Sequence, residues 1–83
     1  MIYVDPAIFK KVNGKKSYAH LVGSTVAELH AFAASIGVKP HFFHKSASYL
    51  HYDITEEQRV KAIEAGAIEV SSKQLLGYAK EMK

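Results

Sequence analysis

Tyr49-Leu50-His51-Tyr52-Asp53-Ile54-Thr55-Glu56-Glu57-Gln58 reads as a strand that runs straight into a helix. Its first six residues are apolar, aromatic or β-branched at most positions, which suits a half-buried strand. Thr55 and Gln58 then stand three apart, the spacing of a capping box. In that motif a hydroxyl accepts a free backbone N–H, and the later side chain reaches back to the cap. The same succession recurs at Ala67-Ile68-Glu69-Val70 followed by Ser71-Ser72-Lys73-Gln74, where Val70 and Leu75 are also placed as a hydrophobic staple. Thr25-Val26-Ala27-Glu28 is a third helix start of this kind.

Apolar periodicity extends these starts into three helices. Val26, Leu29, Phe32, Ala33 and Ile36 form one stripe, and Gly37 follows where a left-handed cap is common. A second helix is predicted from Glu56 to Ala65, with Val60 and Ile63 inward and Gly66 as its stop. The third is predicted from Ser72 towards Met82, with Leu75, Ala79 and Met82 inward. Gly77 weakens it by up to ~1 kcal/mol relative to Ala. Ile2-Tyr3-Val4 is a further strand, ended by Asp5-Pro6. Asn13-Gly14 is a turn signal, so residues 8–22 read either as an additional hairpin or as a loop. Alternating strands and helices predict an α/β fold. The expectation is a small two- or three-layer sandwich with about three mostly parallel strands and three helices, forming one domain over residues 1–83.

Composition narrows the function classes. A chain of 83 residues has a thin core, burying about 60–65% of the surface exposed when unfolded. Small domains often add a disulfide, a metal or a partner chain. Cysteine is absent, which leaves self-association or a metal held by His and carboxylate. No apolar run approaches the ~18–20 residues of a membrane span. The N-terminus lacks a basic segment followed by an apolar one, so no signal peptide is expected, and a cytoplasmic location is. The net charge is +3, and Lys10, Lys11, Lys15 and Lys16 fall close together. Such a run is ordinarily a solvated loop, with a phosphate or acidic-partner contact as the alternative. No aromatic stacking platform lies beside it, which argues against nucleic acid.

The polar residues gather at strand ends. In open parallel sheets, ligands bind beyond the carboxyl ends of the strands. Asp5 lies at that end of the first strand and Asp53 near that end of the second, while Ser71 and Ser72 follow the third. His51 and Asp53, two apart, share a face and suit either a carboxylate-oriented histidine or two ligands of one metal. Asp53 helping to cap the following helix is the plainer alternative. Asp5, His51 and Asp53 are the candidate metal set, and a divalent metal is a candidate cofactor that the sequence does not fix. None of the five histidines has the H-E-x-x-H spacing of a zinc helix, and no phosphate-loop, dinucleotide or serine-hydrolase motif is present. Arg59, on the second helix, reads as a flank salt bridge or an anion clamp.

Across the chain, Ile2-Tyr3-Val4-Asp5, His20-Leu21-Val22, Glu28-Leu29-His30-Ala31-Phe32-Ala33, Gly37, His51-Tyr52-Asp53, Arg59 and Ala65-Gly66-Ala67 form a spaced set. In this set the chain resembles a small family of uncharacterised bacterial and phage proteins defined only as a domain of unknown function. The resemblance implies that Asp5, His20, His30, His51, Tyr52, Asp53 and Arg59 are its recurrent polar positions. The family's usual Trp before a Ser-His-Leu step is Tyr18-Ala19 here, so no ring-specific role carries over to Tyr18.

Three functions fit these residues. The first is a small hydrolase of a phosphoester or nucleotide, metal-dependent in one form. Asp5, His20, His51 and Asp53 would be catalytic, and Arg59, Tyr52, His30 and Ser71 would bind ligand. The second is a non-catalytic module that captures a nucleotide-like or other anionic small molecule. The third is a homodimeric interaction domain, in phage a partner inhibitor, whose His and Asp residues are structural.

Overall fold

The computed structural model describes residues 1–6, 18–45 and 49–83. The predicted turn at Asn13-Gly14, the first arm of its hairpin and the lysine cluster lie outside the described residues. The order of elements is β1 (Ile2–Val4), β2 (Ala19–Gly23), α1 (Val26–Ser35), a 3-10 turn (Pro40–Phe42), β3 (Phe43–His44), β4 (His51–Ile54), α2 (Glu56–Glu64), β5 (Ile68–Glu69) and α3 (Ser72–Glu81).

The caps explain the helix starts. Thr55 Oγ1 accepts from the Gln58 N–H while Gln58 Oε1 accepts from the Thr55 N–H, at 3.2 and 2.8 Å. Ser71 and Gln74 make the same exchange. Thr25 accepts from the Glu28 N–H, but the Glu28 carboxylate turns to the amino group of Met1 instead of its cap. Gly37 and Gly66 stop α1 and α2 at φ of 80° and 105°, the left-handed region where a Cβ is disfavoured.

The five strands form one sheet in the order β3-β4-β2-β1-β5. The expected mostly parallel sheet is overturned. Only β1 and β5 pair in parallel, whereas β1–β2, β2–β4 and β3–β4 are antiparallel. The cause is the placement of β2. Its residues Ala19, Leu21 and Val22 have no exposed surface, so Ala19–Gly23 buries apolar side chains on both faces. A strand of that composition is most stable in the middle of a sheet. It therefore inserts between β1 and β4 rather than serving only as the arm of a local hairpin. Because β2 opposes both neighbours, β1, β4 and β5 still point the same way, and their carboxyl ends share one edge.

Helices cover both faces. Leu29 and Ala33 of α1, Ile36 just after it and Ala62 of α2 pack with Val4, Leu21 and Ile54 on one face. Leu75 and Ala79 of α3 pack with Tyr3 and Val22 on the other. The staple pair is present, Val70 packing into the cluster that contains Leu75. One inward position differs from expectation. Val60 is 50% exposed and Ala62 is buried in its place.

Candidate functional site

Strand alternation decides which polar side chains meet. On β1, β2 and β4 the residues that share the α3 face include Asp5, His20, His51 and Asp53. His20 stands opposite Asp53 in the β2–β4 register, and His44 opposite His51 in the β3–β4 register. The first turn of α3 closes the same edge, with the Ser72 hydroxyl donating to Asp5 Oδ2 at 3.3 Å.

Asp5 is the buried anchor of the group, 3% exposed. Its Oδ1 accepts the backbone N–H of His20 at 2.7 Å, and its Oδ2 faces His20 Nδ1 at 2.9 Å. A carboxylate beside that nitrogen holds the Nδ1–H tautomer and turns Nε2 outward. His20 Nε2 then lies 3.8 Å from Asp53 Oδ1. On the other side His51 Nε2 lies 3.1 Å from the same oxygen, while His51 Nδ1 donates to the Tyr49 carbonyl at 3.0 Å. His44 Nε2 meets the second oxygen, Asp53 Oδ2, at 2.8 Å. Its ring stacks on His51 with centroids 5.1 Å apart and planes 10° apart.

The electrostatics follow from this arrangement. The hydrogen bond that His20 donates to Asp5 raises the pKa of His20 above 6.5. Burial opposes that shift, and the charges of Asp5 and Asp53 reinforce it. Tyr49 packs against His51, and burial pushes its hydroxyl up, with Asp5 and Asp53 adding to the effect. Among the described residues, every buried side-chain N and O has a partner.

Three of these groups are placed to share a cation. One ligand atom each from His20, His51 and Asp53 lies within 4.8 Å of the others. Asp5, expected from sequence as a ligand, stands instead behind His20 as its orienting carboxylate.

The other expected ligand-binding residues lie apart from this group. Tyr52 alternates to the opposite face, where its hydroxyl pairs with His30 Nδ1 at 2.7 Å. Arg59 is engaged at the end of β1, its Nε donating to the Asp5 carbonyl and its NH2 to Glu69, each at 3.0 Å. Ser71 serves as the cap of α3. Ser72, placed from sequence after the third strand, does reach Asp5, whereas sequence reasoning missed His44 and Tyr49. Strand alternation from His51 was the available signal for Tyr49. An open cleft of about 550 Å³ between the end of α1 and α2 is lined by Lys61 and Glu64, with no His or Asp. The chemistry therefore gathers on the sheet face, away from that cleft.

The chain belongs to the family described as Protein of unknown function (DUF4031), whose model matches residues 2–82. Comparison with curated proteins and with solved structures gave no match. Among the described residues, no helix is long and apolar enough to cross a membrane. The family description carries no reaction, so function must be argued from the site.

Proposed function

We propose that this chain is a small hydrolase acting on a phosphoester, a nucleotide being one such substrate. The observation that carries this reading is the focus formed by His20 Nε2, His51 Nε2 and Asp53 Oδ1, with His20 held in one tautomer by buried Asp5. Groups that accept protons and point at one spot activate a water there. The attacking water gives its proton to the site, and the leaving oxygen recovers one from it. An anionic substrate is favoured by the net charge of +3.

A second reading has its own support. Arg59 is occupied by Asp5 and Glu69, which leaves it unavailable to grip a phosphoryl group as charge develops. The same residues would then capture an anionic ligand without turnover. The deciding experiment assays the protein against aryl phosphate mono- and diesters and a nucleotide panel, with and without added divalent metal. Turnover that disappears in a folded His51→Gln variant supports the hydrolase. A bound nucleotide recovered chemically unchanged, with no product under any condition, supports capture alone.

A further inference from the structure

We infer that the site is a mononuclear metal centre for a borderline divalent cation of the zinc or cobalt type, held by His20 Nε2, His51 Nε2 and Asp53 Oδ1. The proposal deepens the hydrolase reading by naming what activates the water, and it takes its use, though not its existence, from that reading.

A backbone carbonyl only accepts, so the 3.0 Å contact to Tyr49 requires a hydrogen on His51 Nδ1. The neutral ring then carries a lone pair on Nε2. That lone pair faces a carboxylate oxygen 3.1 Å away, which is also an acceptor. Two acceptors at that distance repel unless a cation lies between them. His20 repeats the pattern independently. The contact to Asp5 at 2.9 Å places its hydrogen on Nδ1, and its Nε2 lone pair also looks towards Asp53 Oδ1. Two imidazoles reach the same oxygen from two strands, each with its far nitrogen fixed by an acceptor. Metal-binding histidines have this outer arrangement, in which a carboxylate or a carbonyl takes the second N–H.

Distances agree with one ion. Donors around a tetrahedral ion with bonds of about 2.0–2.1 Å stand about 3.3 Å apart. The pairs here stand at 3.1 and 3.8 Å, with all three atoms inside 4.8 Å. Closing the set requires the two imidazoles to approach each other from within 4.8 Å towards that spacing. Two nitrogens and one oxygen suit zinc, cobalt or iron, whereas magnesium and calcium prefer oxygen ligands throughout. Among the described residues a second ion lacks ligands, because Asp5 is already committed to His20 and Ser72. His44 holds the other oxygen of Asp53, which favours a single bond from that carboxylate and leaves a coordination position for water.

The test uses chelator-treated protein titrated with Co²⁺ and Zn²⁺, read by absorption and calorimetry in the absence of substrate. One ion per chain is expected, with cobalt bands characteristic of nitrogen and oxygen ligands that Zn²⁺ displaces and Mg²⁺ does not. Asp53→Asn and His51→Gln should abolish saturable binding. Asp5→Asn should weaken it about 10–100-fold while retaining it. Absence of saturable binding by the wild-type chain would mean that a proton alone bridges His51 and Asp53, and overturns the proposal. Unaltered binding in folded Asp53→Asn overturns it as well. If the variants do not fold, the wild-type stoichiometry and cobalt spectrum decide. Binding without turnover leaves the metal centre standing and removes the hydrolase, while turnover indifferent to chelation does the reverse.

Discussion

Asp5 and His20 are joined twice, side chain to side chain at 2.9 Å and carboxylate to backbone N–H at 2.7 Å. The pair ties the end of β1 to the start of β2 and sets the tautomer at the site. Asp5→Ala removes the acceptor for both groups and for Ser72. Unfolding free energy should fall by about 2–3 kcal/mol, since buried donors lose their partner. Urea unfolding of the metal-free protein measures this, and Asp5→Asn should lose less because an amide oxygen still accepts.

The same pair gives the metal-free protein a pH dependence. The hydrogen bond donated to Asp5 raises the pKa of His20 above its usual 6.5, so the folded state holds that proton more tightly than the unfolded chain. The stabilisation is complete below the unfolded value of about 6.5 and is lost as pH rises through the folded pKa. The melting temperature of wild-type protein should therefore decline across that window relative to His20→Gln. A wild-type profile parallel to that of the variant would remove this coupling.

Tyr52 and His51 are chain neighbours with opposite fates. Tyr52 points away from the site and bonds His30, which is exposed to water. Tyr52→Phe should lower stability by about 1 kcal/mol, the usual net worth of one hydrogen bond. Metal affinity and any turnover should be unchanged, as measured by calorimetry and kinetic assay. An effect on either would mean that the two faces are coupled through the sheet.

Gly77 lies in the middle of α3, and a Cβ built there meets nothing within 4 Å. Gly77→Ala should raise stability by about 0.5–1 kcal/mol through helix propensity alone. In a domain this small the melting temperature should rise by about 2–8 °C.

The helices were legible because their signals are local. Thr25, Thr55 and Ser71 cap where their spacing predicts, and α1, α2 and α3 end within one residue of expectation. Convergence of Asp5, His51 and Asp53 was legible for a subtler reason, while His20 entered through family resemblance. Strands β1, β4 and β5 share a direction, so their ends meet although their pairing is not mostly parallel. The place of β2 was not legible, because strand order depends on burial of Leu21 and Val22 against both faces rather than on any neighbouring residue. His44 was missed because β3 is only two residues long, too short to show a period. Tyr52 entered the expected site through family resemblance, although alternation from His51 assigns it to the other face. Val60 was expected inward because a large apolar residue outranks alanine by pattern, yet the buried position on α2 is held by Ala62.

The site is assembled from distant parts of the chain. Asp5 and His20 are 15 residues apart, and Asp5 and Ser72 are 67 apart. No contiguous peptide contains it, so it exists only once the first strand, the inserted second strand and the last helix have closed on one another. An occupant would therefore act as a latch on whole-chain closure. Its effect in hydrogen exchange should fall on the slowest amides of β1, β2 and β4, which open only by global unfolding, and not on helix ends that fray locally.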